Sequence, residues 1–378
     1  DVAFLLVLGV IIGPVLGIVE QDLVITIVPY FAAVALIIIM FDGGLNLDLK
    51  HLVKIGHLAI ILAIIGFIVA LATVAALAHY LIGWNWLDSI LLGSIVGGSS
   101  SIIVFGLVRS VSITEETKNM LAFESAVTDI LSTIIAFTMF GVVLAGALDV
   151  AVMAETLGRA VVVGIVLGLG VGIPWMYITT KLQTKHTYML TLGVLFVLYF
   201  GATYFGESGA LTALVFGLML GNKDKFTRVF KFQMRRVDKD DSMHNQLTFL
   251  IRVFFFVIVG LLASFGDIML VLFGVIATVA IYFGRVIIVK AMLGRRISAL
   301  DQRVTSVMIP RGLAAAVLAS LPLTMGIPNA EAYPQIVFFI ILASVIITTI
   351  GMGSAKKIST PQSQAGGFIS LDEERRGL

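Results

Sequence analysis

Cysteine is absent from the 378 residues, and histidine occurs only five times. The first absence excludes disulfide frameworks, thiol catalysis and cysteine metal sites together, and the scattered histidines form no metal-ligand cluster. Charge is scarce too. Asp, Glu, Lys and Arg make up 13% of the chain, against about 25% in a soluble domain. A formal net charge of +2 is too small to mark a nucleic-acid-binding surface. An initiator Met, a basic leader and a cleavage site are all missing before the first apolar run, so a further segment is expected ahead of Asp1.

What the chain has in excess is apolar. Hydrophobic residues make up 59% of it and the mean hydropathy is +1.08, so in water it would lack the polar side chains to cover its surface. The expected fold class is therefore an all-α membrane protein. One transmembrane domain is expected over residues 1–354 and a polar tail over 355–378, the tail leading into a cytoplasmic regulatory domain beyond residue 378. A bilayer-spanning helix takes about 20 apolar residues. The hydrophobic runs separated by loop signals number twelve: 2–19, 23–41, 56–80, 87–108, 119–147, 157–180, 187–205, 208–221, 246–265, 268–293, 303–324 and 333–354.

The loops between these runs alternate in charge. Lys50 and Lys54, Arg109 and Lys118, Lys181 and Lys185, Lys223 to Arg236, and Arg295, Arg296 and Arg303 fall in every second connection, and Lys356 and Lys357 follow the last run. The intervening loops carry Glu20, Asp22, Asp88, Asp149, Glu155, Glu207, Asp267 and Glu331, without Lys or Arg. By the positive-inside rule the basic connections and the C-terminus are cytoplasmic, in a multi-pass inner-membrane protein. Arg159, near the outer end of its span, is expected to pair with Glu155 at helical spacing, and Arg252 to snorkel toward the cytoplasmic headgroups.

Two runs are interrupted at their centres, by Gly97-Gly98-Ser99-Ser100-Ser101 and by Pro310-Arg311-Gly312. They lie an odd number of spans apart and so run in opposite directions, as the discontinuous helices of an inverted-repeat transporter do. Two six-helix repeats joined by one linker helix would require thirteen spans, twelve of them visible. Unwound backbone in hydrocarbon must face protein or a water-filled cavity, where its carbonyls and helix ends can contact an ion.

Few charges lie inside the runs. Glu124 and Asp129 share the fifth, Arg285 lies in the tenth and Arg311 in the eleventh, each expensive in lipid and hence a functional candidate. A carboxylate paired with Arg is structural, whereas an unpaired one in a partly dehydrated cavity can alternate between a proton and a metal cation. Glu124 is assigned the first fate, with Arg285 or Arg311 as partner, and Asp129 the second. Ser125 precedes Asp129 by one helical turn and stacks on its face. Hydroxyls at Ser99, Ser100, Ser101, Ser125 and Thr128 supply neutral oxygens that either ligate a cation or cap broken helix ends. Asp42 lies at the cytoplasmic end of its span, as an interfacial cap or a funnel mouth.

These residues resemble the cation/proton antiporter superfamily, in its sodium/proton exchanger branch. The Phe-Glu-Ser-Ala-Val-Thr-Asp run at 123–129 is similar to the family's Glu-Ser-x-x-Asn-Asp motif, and Phe41-Asp-Gly-Gly-Leu45 to its Phe-x-x-Gly-Leu signature. Phe254 to Gly260 and Arg311-Gly-Leu-Ala-Ala add to the likeness. The resemblance implies a thirteen-span homodimer whose six-helix core moves as an elevator against a dimerisation domain. It implies Asp129 as the cation- and proton-binding carboxylate, completed by Ser125 and the hydroxyls near Ser100, and Glu124 paired to Arg285. Ser99-Ser100-Ser101 stands where the family commonly has Thr-Asp-Pro, which is closer to potassium-efflux relatives and leaves the cation open between sodium and potassium. The expected activity is electroneutral one-for-one monovalent cation/proton antiport, with no cofactor and no catalytic residue. A sodium-coupled organic-anion carrier, with Arg311 on the anion, and a cation channel are the rival readings.

Overall fold

In hydrocarbon every backbone N–H and C=O must find its partner inside the protein, so an apolar chain crosses as helices or as a closed barrel. The computed structural model describes residues 2–19, 21–46, 56–108, 110–146, 150–182, 186–205, 207–222, 242–263 and 265–359, and every regular element among them is helical. In chain order these are α1 (Val2–Val10, extended by a π-helical turn Ile11–Val15), α2 (Gln21–Asn46), α3 (Gly56–Leu81), α4 (Trp86–Val96) and α5 (Ser101–Val108). They continue as α6 (Glu115–Ala145), α7 (Val150–Lys181), α8 (Thr187–Tyr204), α9 (Gly209–Gly221) and α10 (Ser242–Leu261). The last five are α11 (Ile268–Leu293), α12 (Ala299–Val307), α13 (Leu313–Ser320), α14 (Pro322–Met325) and α15 (Ala332–Ser359).

Each of the twelve expected spans coincides with helix. Among the described residues, eight helical segments are long and apolar enough to cross a membrane, and four more, Val2–Val15, Tyr30–Asn46, Gly209–Gly221 and Leu313–Met325, are shorter and apolar. Their outward faces are greasy: Val197 is 75% exposed and Ile287 67%, which suits lipid and not water. The chain is a multi-pass membrane protein. The two interrupted runs are each two half-helices, α4 with α5 and α12 with α13.

The helices pack in two groups. One brings α3, α4, α5 and α6 against α11, α12, α13 and α15; the other holds α1, α2, α7, α8, α9 and α10. The half-helix α13 is the main link, touching α2 and α10 of the second group as well as α4, α6 and α15 of its own. Within the second group α2 and α9 approach backbone to backbone. A Cβ added at Gly44 would collide with the carbonyl oxygen of Leu214, and one at Gly217 with that of Phe41, so small residues set this contact, as they do between helices in membranes generally.

One expectation needs correction. Arg159 meets Glu207 at 3.2 Å and not Glu155, because Glu207, in the connection between α8 and α9, lies closer than the helical neighbour. Of the expected tail, 355–359 continue α15, which runs to Ser359 and buries Ala355 completely, and 360–378 lie outside the described residues. Of the loop charges, Glu20, Lys50, Lys54, Arg109, Asp149, Lys185 and Lys223 to Arg236 also lie outside them. Arg252 is half-buried. Its Nε is buried without a partner, and the side chain lines a cavity of about 270 Å³ with residues of α1, α5, α13 and α15.

Candidate functional site

The two interruptions meet. Residues 97–100 and 308–312 are non-helical, and the Ser100 N–H donates to the Pro310 carbonyl oxygen at 2.8 Å. Pro310 has no N–H to continue the helix, so its carbonyl stands beside a backbone that also has donors to spare. Close approach needs glycine. A Cβ at Gly312 would strike the Ser100 hydroxyl, and one at Gly98 would come within 2.6 Å of the Thr128 carbonyl oxygen. Thus α5 and α13 both begin at the crossing, and their first N–H groups point toward it with the positive ends of their dipoles.

Asp129 reaches one of these ends. Its Oδ2 accepts from the Ser101 N–H at 3.0 Å and from the Ser101 hydroxyl at 2.8 Å, so the α6 carboxylate caps α5 across the helix interface. Both are charge-assisted bonds. No described donor bonds the other oxygen. Asp129 lines a cavity of about 50 Å³ with Asp42, Ser100, Ser101, Phe105, Ala126 and Leu313 among its walls, a space of polar and apolar surface in which a small cation or water fits.

The hydroxyls expected to gather at Asp129 divide among three environments. Ser101, expected only to support the site, is its direct partner, and Ser100 lines the same cavity. Ser99 lies behind: its N–H donates to the Thr128 hydroxyl at 3.1 Å, and the two hydroxyls are 3.2 Å apart. Thr128 in turn donates to the Ser125 carbonyl. Ser125 faces neither side; it is 1% exposed and its hydroxyl bonds the Ala122 carbonyl one turn back, as serines inside helices often do.

The rear side of α6 holds the other charges. Arg285 grips Glu124 with both guanidinium nitrogens, Nη1 on Oε1 and Nη2 on Oε2, the second at 2.7 Å, while its Nε donates to the Thr305 carbonyl at 3.1 Å. Both side chains are under 10% exposed. Arg311, which the sequence left as an alternative partner, is also buried, but no described carboxylate lies within 4.0 Å of it and its Nε has no partner. Its backbone N–H is held by the Ser344 hydroxyl. A small cavity of about 30 Å³ joins Arg311, Arg285, Glu124, Thr128 and Ser99. Two acids on one helix thus have two surroundings, one fully paired and one half free.

One contact escaped the sequence altogether. Asp42, on the wall opposite Asp129, accepts at Oδ1 from His244 Nε2 and Asn46 Nδ2, each at 2.8 Å. His244 lies outside the apolar run expected for its helix, and 202 residues from Asp42.

The Ser101 hydroxyl offers a first test. Ser101→Ala removes one of two bonds to Oδ2 and keeps the backbone donor, so the protein is expected to stay folded. A hydrogen bond to a charged group contributes about 1.5–3 kcal/mol, so if a cation binds at Asp129 its apparent affinity should change by roughly 10- to 100-fold, read as the half-saturating cation concentration in vesicles.

Comparison with known proteins adds the following. Residues 1–354 match the family described as sodium/hydrogen exchanger, transmembrane. A K(+)/H(+) antiporter NhaP2 from Shewanella sp. (strain ANA-3) is 25% identical over 339 residues, 86% of this chain and 56% of that protein. A K(+)/H(+) antiporter NhaP from Alkalimonas amylolytica is 26% identical over 83% of this chain and 54% of its own. A Na(+)/H(+) antiporter NhaP from Pseudomonas aeruginosa is 22% identical over 83% of this chain and 77% of its own. The chain thus spans little more than half the length of the first two. In fold, the solved structure of the sodium proton antiporter MjNhaP1 from Methanocaldococcus jannaschii superposes with a TM-score of 0.77 at 21% identity, covering 95% of this chain and 91% of that one.

Proposed function

The chain belongs to the transmembrane sodium/hydrogen exchanger family, and from that premise we propose that it exchanges a monovalent cation for a proton at Asp129. The observation that carries this is the division of the Asp129 carboxylate. One oxygen is anchored by Ser101 and the other is left to a cavity. The free oxygen has room for one proton or one cation and not both. Competition for a single carboxylate couples the two fluxes one for one, with no net charge moved. The relatives' names, K(+)/H(+) and Na(+)/H(+) antiporter, support a monovalent cation as the substrate.

The positive-inside rule places the Lys- and Arg-bearing connections, and the C-terminus with them, in the cytoplasm. Alternating access follows if α3 to α6 and α11 to α15 move as one core against the other helices. Asp129 and the crossing of the breaks lie in that moving group, and Asp42 and His244 in the fixed one. The fixed group would also hold the homodimer interface. Glu124 and Arg285 are then the brace of the core, and Ser99 and Thr128 tie the first break to α6.

The test uses the purified chain in proteoliposomes with an acid interior and a trapped pH-sensitive dye. Addition of sodium, potassium or lithium outside should dissipate the gradient, at a rate unchanged by potassium-valinomycin clamping of the membrane potential. A cation flux independent of the proton gradient, or a potential generated during exchange, would overturn the proposal.

A further inference from the structure

The Asp42 carboxylate faces the cavity of Asp129 but is occupied from behind. His244, 5% exposed, approaches it with Nε2 at 2.8 Å, and the other ring nitrogen, Nδ1, meets the Tyr188 hydroxyl, also at 2.8 Å. Three helices of the fixed group, α2, α10 and α8, are joined through one ring. An ionised carboxylate only accepts, so Nε2 carries a hydrogen, and in the neutral ring Nδ1 accepts from Tyr188. A proton taken up at Nδ1 leaves the Asp42 bond in place, because a tyrosine hydroxyl turns from donor to acceptor without moving its oxygen. Among the described residues, the charged and titratable groups that face the ring are Asp42 on α2, Tyr188 on α8 and, two turns along α10 itself, Arg252, which interacts electrostatically with Asp42; Lys239, Asp240 and Asp241, just ahead of α10, lie outside the described residues.

We infer that His244 is a positioning residue for the exchange: it holds Asp42 at the mouth of the cavity and, by its own protonation, sets whether that mouth carries a net negative charge. With neutral His244 the pair has one negative charge and draws cations toward Asp129. With protonated His244 the pair is neutral, and Asp42 keeps its place while its pull on cations disappears. Histidine is the side chain that ordinarily changes charge between pH 5 and 8. Acidification on the cavity side therefore lowers cation capture twice, once by proton competition at Asp129 and once through His244. In a low-dielectric cavity the loss of one nearby charge weakens cation capture on the order of tenfold.

This inference rests on the antiport reading of Asp129, and the experiment separates the two. The half-saturating cation concentration and the maximal rate are measured for the full chain and for His244→Gln between pH 5 and 8. A glutamine amide can still donate to Asp42 but does not titrate. At pH 8 the two proteins should agree within a factor of about two, whereas at pH 5 the wild type should need about tenfold more cation than the variant, with equal maximal rates. Asp42→Asn should erase the difference: with and without His244→Gln it should show one and the same pH profile. A ratio between wild type and His244→Gln that does not vary with pH overturns the role of His244 and leaves the antiport reading intact. Absence of any cation-dependent proton flux in the wild type overturns the antiport reading instead. Should His244→Gln not fold, potassium- and sodium-dependent thermal stabilisation of the wild type and of Tyr188→Phe is compared. Removing the hydroxyl that accepts from the protonated ring should move the extra loss of binding to lower pH, and an unmoved profile counts against the proposal.

Discussion

Asp129→Asn should abolish cation/proton exchange in proteoliposomes, a loss of about 100-fold or more, while leaving the protein folded. The two halves of this expectation come from the two oxygens of one side chain. Toward Ser101 the carboxamide oxygen can accept the same bonds at the start of α5, and Asn caps helix ends about as well as Asp. Toward the cavity the amide neither ionises nor releases a proton. A cation there loses the charge of the Asp129 carboxylate, and in a partly dehydrated site about 2.7 kcal/mol of lost attraction already gives a hundredfold effect. Two measurements are needed together: dye-reported exchange, which should fall to the level of empty liposomes, and thermal melting, which should stay within a few degrees but no longer rise with added cation. Exchange at the wild-type rate would remove Asp129 from the mechanism.

Arg285→Met should be the most destabilising single change in the core. It leaves Glu124 buried and unpaired, a situation that costs about 3–5 kcal/mol, and it also strips the Thr305 carbonyl of its donor. Reduced accumulation in the membrane and a markedly lower melting temperature are expected. Adding Glu124→Leu should recover most of the loss, since an apolar pair of similar volume is often neutral or better than a buried ion pair. The recovery should fall short by about 1 kcal/mol, for the carbonyl still without its bond. If the double variant is no more stable than the single one, the pair is not what holds α6 to α11.

How much of this could be read from the chain follows from the kind of signal each feature leaves. Helix existence and rough length were plain, since lipid demands long apolar runs. The Glu124 to Arg285 pairing, across 161 residues, was legible only in part: the scarcity of charges inside the runs left Arg285 and Arg311 both open to Glu124, and it was the family resemblance that implied Arg285. The breaks were legible as Gly-Gly-Ser and Pro-Arg-Gly within apolar sequence. The rotation of a half-helix about its own axis was not. Three consecutive serines supply hydroxyls in three directions, and only packing decides that Ser101 turns to Asp129, Ser99 to Thr128 and Ser100 to the other break. The orientation of Ser125 was hidden for a related reason: helical spacing puts it under Asp129, while its hydroxyl donates to the Ala122 carbonyl of its own helix.

A second signal was present and unread. Asn85 caps α4 by accepting from the Asp88 N–H, and Ser298 caps α12 by accepting from the Asp301 N–H. Asn85-Trp-Leu-Asp88 and Ser298-Ala-Leu-Asp301 are the same start signal, a cap with an acid three residues on, placed ahead of each interrupted run. The second acid also receives the Thr114 N–H and hydroxyl at the start of α6, so it ties the two halves of the core together at their basic end. The likeness supports the inverted-repeat expectation more directly than the spacing of the breaks. His244 left no comparable mark, because one histidine at a helix start reads as interfacial until its partner on α2 is known.

The bond from Ser100 to Pro310 has a consequence for how the site discriminates between ions. Two unwound segments tied by a direct bond and held by Thr128, Asp129 and Ser344 need no guest to hold them open, and a proline at the crossing denies the chain the option of closing back into continuous helix. The cavity is therefore organised before an ion arrives, and little conformational entropy is lost on capture. If the chain exchanges cations at Asp129 as proposed, selectivity between sodium and potassium depends on the size of a standing frame and on the energy of stripping water from each ion, rather than on how readily a flexible loop wraps around one of them.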